Sequence, residues 1–134
     1  DADTYIVNSD IKLESFIKDG KEFIIQCDTE GNYTAINAGV IFVKNSQFCY
    51  NLLKIWWETH TMEMCRSLNN DEWEQLGLKY LIGQKGEKYQ DIIDVILDDK
   101  TGFNVIPQFT DENTFIMHAR KPHKNIEDVK HLIF

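Results

Sequence analysis

Asn37-Ala38-Gly39-Val40-Ile41-Phe42-Val43-Lys44-Asn45-Ser46 is the stretch on which the fold turns. Its apolar, β-branched core reads as a strand that begins at Ile36 and ends at Val43. Asn45 or Ser46 then caps a helix whose apolar positions Phe48, Leu52, Ile55 and Trp56 recur at i, i+4, i+7 and i+8. A strand running straight into a capped helix is an α/β unit. Asn37 and Gly39 interrupt the strand at a cost in packing and propensity. Two readings remain open: the backbone approaches a ligand here and the amide hydrogen-bonds it, or the pair marks a β-bulge with a locally satisfied amide.

Outward from this stretch the pattern continues. Upstream, Glu22 to Cys27 reads as a strand, and Asp28-Thr29-Glu30-Gly31-Asn32 as a turn. Thr4 to Val7 is a short β-rich run, followed by a helix that starts at Asn8-Ser9-Asp10 and carries Leu13, Phe16 and Ile17 toward Gly20. Downstream, Asp71 and Glu74 have capping-box spacing for a helix through Trp73, Leu76, Tyr80 and Leu81 to Gly83. A third helix is expected over Tyr89 to Leu97. Phe103 to Ile106 and Phe115 to Met117 read as short strands, and Asn125 as the cap of a terminal helix through Val129 and Leu132. Strands and helices intermix without repeats or a linker, so residues 1–134 read as one α/β unit.

Composition narrows the partners. The 134 residues, 43% hydrophobic, suffice for one core and not for two ordinary domains. Fourteen basic against 22 acidic residues give a net charge of −8, which argues against a sequence-independent grip on nucleic acid or an anionic membrane surface. No apolar run approaches the ~20 residues that span a bilayer. Cys27, Cys49 and Cys65 lack CxxC or CxC spacing and so give no support to a zinc knuckle or dithiol centre. One disulfide plus a thiol and three reduced thiols both stay open, the second favoured in a core-rich domain. The first residues read as the end of a buried strand, so sequence is expected upstream of Asp1.

Four groups could carry chemistry. Asp1 and Asp3 share a face of an extended segment and could hold a hard divalent cation with phosphate oxygens, or be solvated carboxylates. Glu74-Gln75 near a helix start could line a pocket or an exposed face. His118 follows the apolar Phe115-Ile116-Met117 and precedes Arg120, Lys121, Pro122 and His123. An imidazole there is structural, or it completes a metal and diphosphate site with the cations on phosphate oxygens. The Trp56-Trp57 pair invites sugar stacking, but the place of Trp56 in the apolar stripe assigns it to the core.

In order along the chain, DAD, NAGVIFVKNS, WEQLGL and FIMHARKP resemble the GT-A fold glycosyltransferases, especially the retaining galactosyl-, mannosyl- and xylosyltransferase families. No one motif is specific; the ordered set is. The resemblance implies an α/β GT-A fold, of which this chain is the C-terminal, metal- and acceptor-side part, with the nucleotide-binding half upstream. It implies Mn²⁺ or Mg²⁺ on Asp1, Asp3 and His118. Asn37, Ala38 and Gly39 would line the donor sugar, Glu74 and Gln75 would sit near the anomeric carbon as catalytic residues, and Arg120 or Lys121 would meet the diphosphate. Two departures stand out: the loop His118-Ala119-Arg120-Lys121-Pro122 is shorter than the family's usual one, and Glu74 replaces a common Asp. The expected donor is a UDP- or GDP-hexose and the acceptor a glycan or other hydroxyl. The compartment stays open: the resemblance would imply a Golgi lumen in a eukaryote and otherwise the cytoplasm. A non-catalytic binding domain on the same fold is the alternative; a glycoside hydrolase with paired carboxylates is weaker.

Overall fold

The computed structural model describes residues 3–27, 36–60, 73–83, 88–97 and 101–119. Asp1, Arg120, Lys121, Cys65, the expected turn at Asp28 to Asn32, the Asp71 cap and the helix after Asn125 lie outside the described residues. In chain order the elements are β1 (Thr4–Ile6), β2 (Phe23–Cys27), β3 (Ile36–Val43), α1 (Gln47–His60), α2 (Trp73–Ile82), β4 (Ile93–Ile96) and β5 (Ile116–His118), with 3-10 turns at Leu13–Phe16 and Pro107–Phe109. The class is α/β.

Among the described residues the strands form two sheets. One has the order β3-β2-β4, with β2 antiparallel to β3 and parallel to β4. The other is the antiparallel pair β1-β5. Every residue of β2 is buried, as expected of a strand covered on both faces. Its alternation divides the core. Phe23, Ile25 and Cys27 meet Cys49 and Leu52 of α1 and Leu78, Leu81 and Ile82 of α2. Ile24 belongs to a second cluster with Val40, Phe103 and Phe115. There Phe103 meets Phe16 and Phe42 edge-on at 5.4 and 4.7 Å between ring centroids, a preferred aromatic geometry.

α1 begins as its sequence predicts. Ser46 Oγ accepts from the Cys49 backbone N–H at 3.2 Å, an N-cap, and donates to Glu22 Oε2 at 2.6 Å. Trp56 packs half-buried against the core, whereas Ile55 and Trp57 are exposed, so the buried stripe is narrower than the periodicity suggests. Gly83, at φ 86°, takes the left-handed conformation that ends α2. Cys27 and Cys49 are both buried.

Three element expectations are corrected. Where a helix was expected over Tyr89 to Leu97, Tyr89 is left-handed at φ 62° and Ile93–Ile96 is a strand beside β2. Its β-branched residues fit the buried sheet better than a helix. The helix after Asn8 shrinks to the turn Leu13–Phe16. Asn8 Oδ1 there accepts from Asp10 N–H and its Nδ2 donates to Glu112 O, while Phe16 is drawn into the aromatic cluster. Phe103 to Ile106 is no strand beyond the single bridge Val105 to Met117. The Gln26 side chain occupies both backbone groups of Asn104 that a neighbouring strand would use.

Candidate functional site

The register of β2 against β3 breaks where the opening stretch predicted an irregularity. Ile25 pairs with Ile41, but the next residue, Gln26, pairs with Asn37, so Ala38, Gly39 and Val40 are looped out of the ladder. Looping frees backbone N–H groups that need other acceptors. The Ala38 N–H donates to Gln75 Oε1 on α2 at 2.9 Å, and the Gly39 N–H donates to Asn37 Oδ1 at 2.8 Å. The second sequence reading of Asn37 and Gly39 is the one seen: the strand bulges, and the Asn37 amide oxygen is locally satisfied.

His118 ends β5 and is buried, with 3% exposure. Its ring lies against Gly39: a Cβ on that glycine would stand 2.6 Å from His118 Nδ1 and nearer still to Cε1. Only a residue without a side chain leaves room for the imidazole. On the other side of the ring, His118 Nε2 lies 3.2 Å from Asp3 Oδ1. Pairing of Thr4 with His118, extended by the bond from Ala119 N–H to Asp3 O at 2.8 Å, brings the chain's first described residue there.

One carboxylate oxygen and one imidazole nitrogen make a mixed donor set that is more compatible with Mn²⁺ than with the oxygen-seeking Mg²⁺. Adjacent ligands on an octahedral ion at about 2.1 Å stand about 3 Å apart, close to the spacing seen here. Among the described residues no group of three or more His, Cys, Asp or Glu converges. Asp3 and His118 could serve as two ligands of a larger set, or pair with each other directly; Asp1 lies outside the described residues.

Of the residues expected at the site, the fold brings together Asp3, His118, Gly39, Asn37, Ala38 and Gln75 from four distant parts of the chain. The backbone of Glu74 lies in α2, but its side chain is outside the description, as are Asp1, Arg120 and Lys121. Sequence reasoning missed two residues. Gln26 Nε2 donates to Asn104 O at 2.9 Å, and Asn104 N–H donates to Gln26 Oε1 at 3.1 Å. Asn104 Nδ2 in turn donates to Asn37 Oδ1 at 3.2 Å, and its own Oδ1 is buried without a partner among the described residues. The available signal was a lone amide inside each apolar run, Ile24 to Cys27 and Phe103 to Val105. Elsewhere, a mainly aliphatic groove between Leu13, Ile17 and Phe42 and another beside Lys18 and Asp94 include none of the site residues. The second groove carries the Lys18–Asp94 ion pair beside Ser15, Thr101 and Asn113, and neither groove is lined by the Ala38–Val40 bulge.

Residues 1–126 match the galactosyl transferase GMA12/MNN10 family. Among solved structures, the crystal structure of a glycosyltransferase involved in the glycosylation of the major capsid of PBCV-1 matches with a TM-score of 0.68 at 18% identity. That match covers 97% of this chain and 62% of the solved one, so the chain spans less than two thirds of its length. At that identity the likeness establishes the fold. No curated protein matches the chain.

Proposed function

The chain belongs to the galactosyl transferase GMA12/MNN10 family, and on that premise we propose that it carries the metal- and acceptor-side part of a GT-A glycosyltransferase domain. The proposed reaction moves a hexose from a UDP- or GDP-hexose to a hydroxyl of a glycan or another acceptor. The nucleotide-binding half would lie upstream in the same domain. The observation that carries this reading is the run of contacts from Asp3 to His118, from His118 to Gly39, and from the bulge through Ala38 to Gln75.

Asp3 and His118, with Asp1, would hold Mn²⁺ or Mg²⁺, which when bound would act as a Lewis acid for the departing diphosphate. Arg120 or Lys121 would neutralise phosphate oxygens. Asn37 and the adjoining bulge residues Ala38 and Gly39 would line the donor sugar, with Gly39 leaving room for the His118 ring. Gln75 would face the anomeric carbon. Among the described residues its Oε1 accepts one bond, from Ala38 N–H, which orients the amide and would leave a second lone pair for positive charge developing on the sugar. A neutral amide is a poor nucleophile, so same-face displacement is the preferred route: the departing phosphate oxygen takes the acceptor's proton as the new C–O bond forms. Glu74 keeps a covalent double displacement open. Both routes retain the anomeric configuration.

The test is a panel of UDP- and GDP-hexoses with the full-length protein, with Mn²⁺ and with chelator. Metal-dependent release of nucleotide diphosphate from an α-linked donor, with an α linkage in the first-formed product by proton NMR, is expected. A β product would refute retention and the roles of Glu74 and Gln75; inertness toward the whole panel would refute the activity.

A further inference from the structure

We infer that Asn104 is a positioning residue of this site, acting through Asn37 to hold the Ala38–Val40 bulge in place beside His118. The inference rests on the proposed donor site and extends it to a residue with no access to the sugar: Asn104 is 3% exposed.

The argument is one of donors and acceptors. A side-chain amide can turn about its last bond, exchanging oxygen for nitrogen at nearly the same positions. Asn37 Oδ1 faces two donors, the Gly39 N–H and Asn104 Nδ2. Turned over, the Asn37 NH₂ would confront donors on both sides. Asn104 thus selects the orientation in which the Asn37 oxygen can hold the bulge. The Asn104 backbone is itself clamped: Gln26 binds both its N–H and its C=O, and Gln26 is the residue paired with Asn37 across β2 and β3. Three buried amides so close a ring. The next residue reaches the other sheet, where Val105 O accepts from His118 N–H at 2.8 Å and Val105 N–H donates to Ile116 O at 2.9 Å. Asn104-Val105 therefore ties the bulge and the histidine, which stand on different sheets, to one short piece of backbone.

Asn104→Asp tests this in the full-length protein, because it keeps the size of the side chain and turns its only donor toward Asn37 into an acceptor. The expected result is a displaced Gly39 amide resonance with hydrogen exchange about tenfold faster, while the β2 amides of Ile24 and Ile25 keep their wild-type protection. Turnover of the nucleotide sugar should fall about 100-fold in kcat with little change in donor KM, as for a misplaced reacting group. Asn104→Ala, which removes the donor without adding repulsion, should show the same pattern at about tenfold. Wild-type Gly39 exchange and wild-type kcat in both variants would overturn the inference. So would loss of protection at Gly39, Ile24 and Ile25 together in both, which would make Asn104 a general stability residue. If the wild-type protein turned over no nucleotide sugar, the proposed activity would fail, while the Gly39 amide would still decide the role of Asn104.

Discussion

Gly39 is glycine because the His118 ring occupies the place a side chain would take. Gly39→Ala must push the imidazole away from Asp3 or move the bulge. Overpacking of this kind costs about 1–3 kcal/mol, and displacement of the histidine should lower donor turnover about 100-fold. Melting and hydrolysis measured on the same sample would show both, and a variant with wild-type turnover would mean the ring need not sit there. At this scale much of the site was legible. An Asn and a Gly inside an apolar strand, and a His at the end of another, each break the local pattern, and such breaks mark functional or strained positions as candidates. Gln26 and Asn104 break it equally but were not found, because each amide names no partner and theirs lie 78 residues apart in sequence.

At the scale of elements, the turn from β3 into α1 is held by Ser46 and Glu22. Ser46→Ala should cost about 1 kcal/mol, read from denaturant unfolding. The hydrogen bond from Ser46, followed by that from Lys44, keeps the Glu22 carboxyl below its ordinary range. Because the folded pKa is the lower one, its contribution is complete above the ordinary carboxyl pKa and disappears as pH falls through the folded value. The wild-type protein should therefore lose stability on that acid limb, and Glu22→Gln should lose less over the same range. An identical acid limb in the two proteins would contradict this linkage. Ser46 was readable because a cap is a local signal, set by residues three positions apart. The stretch Ile93–Ile96 was not, because short apolar runs satisfy helix and strand alike, and the choice was made by the vacant edge of β2.

On the scale of the molecule, β2 is the axis: α1 and α2 cover one face, and the aromatic cluster covers the other. Leu78 is fully buried on the helical side. Its truncation to Ala should cost about 2–5 kcal/mol by thermal or denaturant unfolding; a loss under about 1 kcal/mol would show that the α2 contact collapses without a cavity. The α/β class could be read from the order of elements. The division into two sheets could not, since their junction depends on Gln26, Asn37, Asn104 and Val105 meeting across long separations. The site stands at that junction. Its most direct test is the turnover of UDP- and GDP-hexoses by full-length Asp3→Ala protein beside the wild type in saturating Mn²⁺. Asp3 is half of the proposed metal-ligand pair, so the account predicts a loss of about 10³-fold or more with little change in melting temperature. Wild-type turnover in Asp3→Ala would contradict it.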